Sequence, residues 1–183
     1  MFDVLISAGH EGRTEGNTGA PGTGGNSQIR WTPIVANRAT EVLRAHGISV
    51  DRQPADFPAG RRATIALFIH FDGSKDPCSS GASVGYKGPA DQPLATAWKK
   101  IYSEYWPYKW MKDNFTKNLS EYFGYGLVET TQGEMVMELG EISCREQEEW
   151  LEPRLNLLGD TIAYFVSQWL DKGNVPMPPS GSN

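Results

Sequence analysis

The run Ala63-Thr64-Ile65-Ala66-Leu67-Phe68-Ile69-His70-Phe71 is apolar at nearly every position, and no other stretch constrains the fold as much. Successive strand residues point to opposite faces, so a strand that is apolar throughout must be covered on both sides, as in the centre of a layered sheet. Phe2 to Ser7 and Ile48 to Asp51 read as two further strands. Between them a helix is expected from Pro33 to His46, with Ile34, Val35, Val42 and Leu43 on one side and Gly47 as its stop. Glu134 to Glu138 reads as another strand. Ser143 opens a helix through the capping-box pattern Ser143-Cys144-Arg145-Glu146, and a last helix from Arg154 to Asp171 buries Leu155, Leu158, Ile162, Phe165, Val166 and Trp169. From Asp72 to Val128 the periodicity is weak, with a strand at Ala82 to Tyr86 and a helix at Pro93 to Tyr105. Strands alternating with helices predict a single α/β domain, a mixed, mostly parallel twisted sheet with helices on both faces. The domain is expected over 1–172, followed by a disordered tail at 173–183 rich in Pro, Gly, Ser and Asn.

Charge removes several function classes. The 183 residues carry a formal net charge of -5 and a pI near 5.2, which supplies no broad positive field for phosphates, so nucleic acid is not an expected partner. No apolar run approaches the roughly 18 residues of a membrane span. The N-terminus has neither a basic nor a long apolar region, so the chain is expected to be cytoplasmic as synthesised. A monomer is expected. Cys78 and Cys144 show no metal-knuckle spacing and are expected to be reduced, with a single bridge as the alternative.

Three strands end in side chains able to do chemistry: His10 after the first, His70 near the end of the long apolar run, and Glu138 after Met135-Val136-Met137. Ligand sites of open α/β sheets gather at the carboxyl ends of strands, so the three converge if these strands are parallel neighbours. Two imidazoles and an oxygen donor, with one position left open, describe a hydrolytic zinc site. A carboxylate desolvated by Met135, Val136, Met137 and Leu139 suits proton transfer beside it. Taken singly, each residue has an ordinary reading as a hydrogen-bonded histidine or a salt-bridged glutamate, and His46, at a helix C-terminus, is given no other role. The glycine-rich stretch Glu11 to Ser27 lacks the pattern of a phosphate-binding loop and serves instead to bring backbone close to the site. Tyr102, Tyr105, Trp106, Tyr108 and Trp110, interleaved with Lys99, Lys100, Lys109 and Lys112, either cover one side of the sheet or form a substrate wall.

Ile6-Ser7-Ala8-Gly9-His10-Glu11-Gly12, Gly19-Ala20-Pro21-Gly22, Phe68-Ile69-His70-Phe71-Asp72 and Val136-Met137-Glu138-Leu139-Gly140-Glu141-Ile142-Ser143 resemble, in order and spacing, successive blocks of the zinc-dependent N-acetylmuramoyl-L-alanine amidases of the amidase-3 type. The resemblance spans roughly residues 2 to 170 and is weakest between Lys75 and Thr131. It implies that His10 and His70 bind Zn2+, that Glu138 is the catalytic carboxylate, and that the substrate is peptidoglycan, cut between N-acetylmuramic acid and L-alanine. The family's remaining ligand is a Glu shortly before the first helix, and counting back from Gly47 places Gln28 there. A neutral amide oxygen holds zinc more weakly than a carboxylate. Glu15 or Glu11 could supply the third ligand instead. The departure also leaves open a degenerate, non-catalytic peptidoglycan-binding module of the same fold. The biological settings implied are an endolysin or another cell-wall hydrolase that reaches the wall after release or delivery.

Overall fold

The computed structural model describes residues 1–180. Its strands are β1 (Phe2–Ala8), β2 (Val50–Gln53), β3 (Arg61–Asp72), β4 (Ser83–Gly85), β5 (Val128–Thr130) and β6 (Glu134–Glu141). Its α-helices are α1 (Gln28–Ala45), α2 (Gln92–Tyr102), α3 (Lys117–Ser120), α4 (Arg145–Leu151) and α5 (Leu155–Leu170). The described residues form one six-stranded sheet in the order β2-β1-β3-β6-β4, with β5 pairing the start of β3. All pairs are parallel except β4 with β6. The expected mixed, mostly parallel α/β sheet is the observed one.

The central apolar run is β3, and its two faces are covered unequally. Ile65, Leu67, Ile69 and Phe71 point, with Val4, Ile6, Met135 and Met137, into a large core closed by α1, α2 and α5. Ala66 and Phe68 point the other way with Leu5 and Val136, into a smaller cluster roofed by Leu119 of the four-residue α3 and by Tyr125 of a short 3-10 helix, Phe123–Gly126. His70 and Glu138 share the parity of Phe68 and Val136, so both rise on the thinly roofed face.

Several elements differ from the sequence expectation for identifiable reasons. The first helix begins at Gln28 rather than at Pro33, because Trp31 and Thr32 are buried and the Thr32 hydroxyl donates to the Gly9 carbonyl at 2.6 Å, holding an added turn against β1. The capping box at Ser143 does not form. Ser143 Oγ donates to Glu141 Oε1 at 2.7 Å, and α4 starts after Cys144 with no side-chain cap. The aromatic segment is core: Trp98, Tyr102 and Trp106 are buried, Trp98 and Tyr102 stack at 4.8 Å, and the Tyr102 hydroxyl donates to the Leu139 carbonyl at 2.7 Å.

Two expectations are overturned. Cys78 and Cys144 are joined in a disulfide, not reduced. It pins the segment after β3 to the N-terminus of α4, where the buried Glu141 carboxylate accepts from the Cys78 N–H at 2.9 Å and the Ser80 N–H at 2.7 Å. The tail was expected to be disordered, yet its described part docks. Val175 is buried, its N–H donates to Ser167 Oγ at 3.1 Å, and Tyr105 donates to the Pro178 carbonyl at 2.7 Å. Residues 181–183 of that expected tail lie outside the described residues.

The bridge spans a sequence separation of 66 residues, and closing a loop of that size stabilises the folded chain by about 4 kcal/mol through the entropy of the unfolded state. The double variant Cys78→Ser/Cys144→Ser is expected to lose roughly that amount in urea unfolding. Hydrogen exchange is expected to show the added opening concentrated in residues 73–82.

Candidate active site

The parallel register builds the site. In the β1–β3 ladder Ala8 stands beside Ile69, and in the β3–β6 ladder His70 stands beside Glu138, so the three strands end at one edge. The Gly9 N–H extends the ladder to the Ile69 carbonyl at 2.8 Å. Gly9 is the only residue type that fits at its position, since a Cβ there would enter the His70 ring. The chain then turns through His10, whose φ of 62° swings its ring back over the strand ends. The two imidazoles meet edge to face with centroids 5.3 Å apart.

Gln28, the first residue of α1, completes the group. Its Oε1 lies 2.6 Å from His70 Nδ1, while Tyr122 Oη lies 3.1 Å from His70 Nε2. An amide oxygen only accepts, so Nδ1 donates to Gln28, whereas a hydroxyl both donates and accepts, so Tyr122 can satisfy Nε2 with or without its proton. His10 Nδ1 lies 2.8 Å from the Asn17 carbonyl. That carbonyl can only accept, so Nδ1 carries the proton and Nε2 keeps its lone pair. Gly19 packs against both partners: a Cβ on it would stand 2.6 Å from Gln28 Nε2 and 2.8 Å from His10 Cδ2.

These side chains line a cleft of about 710 Å³, with Asp72, Glu138 and residues of the 116–123 segment on its other walls. Glu138 Oε2 is buried without a hydrogen-bond partner. Desolvation, then the nearby Asp72 carboxylate, push the Glu138 carboxyl well above the ordinary range. Burial, then the positive field of His10 and Arg13, lower His70 to about 3. His10 is lowered chiefly by burial.

Among the described residues no three of His, Cys, Asp or Glu gather as a metal site, because the third donor beside the imidazoles is the Gln28 amide. Two imidazole nitrogens and an amide oxygen are nevertheless donor types that zinc accepts. His70 Nδ1 and Gln28 Oε1 face each other across a hydrogen bond, which a bound cation would replace by drawing the two donor atoms apart. His10 offers a second free nitrogen, its tautomer fixed by a backbone carbonyl as is usual for metal-binding histidines. The structure therefore brings His10, Gln28, His70 and Glu138 together. It does not bring in the other two acids: Glu11 pairs with Arg52 at 2.8 Å, and Glu15 is exposed and not on the cleft wall.

Sequence reasoning missed three contributors. Tyr122 and Phe123 lie in the weakly periodic middle of the chain, where no pattern marked them. Arg13 gave no signal in a loop of small residues, although it lines the cleft. The glycine-rich loop itself is clamped from outside by Glu148, which accepts from the Thr23 N–H at 2.8 Å and from Asn26 Nδ2 at 3.1 Å.

No protein-family model and no curated protein matches the chain. Solved structures do. The catalytic domain of the N-acetylmuramoyl-L-alanine amidase CwlV from Bacillus (Paenibacillus) polymyxa var. colistinus superposes with a TM-score of 0.73 at 20% identity, over 94% of this chain and 99% of that one. The amidase AmiC2 of Nostoc punctiforme gives 0.70 at 20% identity, over 93% and 98%. The catalytic domain of the CD27L endolysin, which targets Clostridia difficile, gives 0.69 at 14% identity, over 92% and 98%. The fold is that of these amidase catalytic domains.

Burial of neutral His70 ties stability to pH. The folded ring titrates near 3 against 6.5 for a free one, so the unfolded chain binds the proton first. The stabilisation from this group is complete above about pH 6.5 and is lost progressively as pH falls towards 3. Imidazole NMR on chelator-treated protein is expected to show His70 still neutral at pH 5. A ring titrating near 6.5 would contradict the buried placement.

Proposed function

We propose that the chain is a zinc-dependent peptidoglycan hydrolase that cleaves the amide between N-acetylmuramic acid and L-alanine. The observation that supports this most is a single cleft, on the fold of amidase catalytic domains, in which two imidazoles and an amide oxygen face an unpartnered buried carboxylate. In this reading His10 Nε2, His70 Nδ1 and Gln28 Oε1 hold the metal. Bound there, zinc would polarise the scissile carbonyl and acidify a water molecule.

The rest of the chemistry belongs to the chain. The Glu138 carboxylate, whose Oε2 is buried without a hydrogen-bond partner, is the group that takes the proton of the attacking water. The same carboxyl group returns that proton to the alanine nitrogen as the C–N bond breaks, leaving a lactyl carboxylate on the glycan and a free amino terminus on the stem. Tyr122 holds the His70 ring in place, and burial, then the Asp72 carboxylate, keep the proton affinity of Glu138 high.

The disulfide fits work outside a reducing cytoplasm, in keeping with a chain that acts on the bacterial wall after release or delivery. Among the described residues no helix is long and apolar enough to cross a membrane. Gln28 supports a second reading, a peptidoglycan-binding module that has lost turnover, because an uncharged donor weakens the metal site.

Wall digestion separates the two readings. Purified wall incubated with the protein is expected to release new alanine amino termini, to stop doing so after chelation and to resume when zinc is restored. Wall binding without release would leave the module. Glu138→Gln is expected to lower turnover by about 10²- to 10⁴-fold with wall binding unchanged. Gln28→Glu is expected to tighten zinc in chelator competition, and unchanged affinity would place the third ligand elsewhere.

A further inference from the structure

Arg13 stands on the cleft wall beside His10, and the proposed amidase chemistry gives it no part. Its Nε donates to Asp56 Oδ2 at 2.8 Å and an Nη to Asp56 Oδ1 at 2.7 Å. A guanidinium has five N–H donors, so the other three meet no acceptor among the described residues. The arginine side chain is only 15% exposed while that of Asp56 is 65% exposed. The aspartate therefore braces the fork from the solvent side, and the guanidinium keeps unused donors on the cleft wall. Its central carbon sits 5.1 Å from the centroid of Phe123, a ring 46% exposed that lines the same cleft.

Charge narrows what such a ledge can take. Asp72, Glu121 and Glu138 also line the cleft, and among its described residues Arg13 is the single Lys or Arg. An anion entering the cleft meets the Asp72 and Glu121 carboxylates and, away from the proposed metal position, finds a fixed cation only at Arg13 among the described lining residues. A guanidinium already oriented by a carboxylate loses little freedom on binding a second one, and its planar fork matches that group in two hydrogen bonds. The exposed ring beneath it offers an apolar surface to whatever adjoins the anion.

We propose that Arg13, braced by Asp56 and backed by Phe123, forms the subsite that recognises a free carboxylate on the peptide stem, and so selects acidic over amidated stems. This rests on the amidase reading for the nature of the ligand. It assigns Arg13 a role in specificity and none in bond cleavage.

The test uses the full chain with zinc in excess and the Glu138→Gln background, so that ligands survive. The probes are N-acetylmuramoyl-L-alanyl-D-glutamate and its diamide, titrated by calorimetry. The diacid is expected to bind about tenfold more tightly than the diamide. Arg13→Gln should erase that preference, whereas Phe123→Ala should weaken both ligands alike. Asp56→Asn, which leaves the charge but frees the fork, should reduce the preference and serves if Arg13→Gln does not fold. Equal binding of the two probes, binding of neither, or a preference that survives these substitutions overturns the subsite. The amidase reading is judged separately, by whether the unsubstituted zinc-loaded protein cleaves the diacid. A chain that prefers the acid but never cuts it keeps the subsite and loses the amidase.

Discussion

Parallel pairing of β1, β3 and β6 is the constraint on which the rest depends. Parallel strands in register end at the same edge, so residues far apart in sequence share one rim without any contact designed between them. The register places His70 beside Glu138 and ends β1 one ladder step from both. A single-residue slip would send His70 and Glu138 to the helix-covered face, among Ile69 and Met137, where neither could meet solvent or substrate. The chemistry is therefore a consequence of side-chain parity as much as of residue identity.

The unequal covering of the sheet follows from the same parity. The face built by Val4, Ile6, Ile65, Leu67, Met135 and Met137 packs against three helices and holds most of the apolar area. The opposite face has Phe68 and Val136 under a four-residue helix and a 3-10 turn, too little to fill the edge of the sheet. The shortfall is the cleft. A domain that secures its stability on one face can leave the other open for ligand and can bury a polar atom such as Glu138 Oε2 without a partner, a cost the larger core offsets.

How much of this is legible in the sequence depends on the kind of physics involved. Strands ending in His10, His70 and Glu138 are visible because an apolar run that stops at a polar group is a local pattern. Gln28 is reached only through the family resemblance, which implies a ligand shortly before the first helix and so a position to count back to from Gly47. The disulfide is not, since two cysteines 66 positions apart carry no spacing signal and only the fold shows that the β3 exit and the α4 start are neighbours. Tyr102 to Trp110 is conspicuous in composition yet proves to be packing, because local pattern cannot tell a ring that faces a sheet from one that faces a ligand. The opposite error hides Tyr122 and Phe123, which look like two more aromatics in an unpatterned stretch. Ser143 shows a local rule losing to a tertiary one: the buried Glu141 carboxylate takes the hydroxyl that the capping pattern would have spent on the helix.

The glycine-rich loop shows how a flexible sequence is made to hold a fixed shape. Its backbone must pass close to His10 and Gln28, which favours glycine at Gly19, and glycine brings the entropy that would let the loop drift. Glu148 counters that drift from the far side, gathering donors of Thr23, Gly24 and Asn26 on one carboxylate. Burial pushes its pKa up, but the bonds from Thr23, Gly24 and Asn26 outweigh this and hold it below the ordinary glutamate value. The clamp is therefore complete at neutral pH and weakens as pH falls through the lowered value. Glu148 sits on α4, whose start is fixed by the disulfide to the segment after His70. The loop that carries Gly19 towards Gln28 and the strand that carries His70 are thus tied to the same short helix, a common anchor for the segments around the 2.6 Å contact of Gln28 Oε1 with His70 Nδ1.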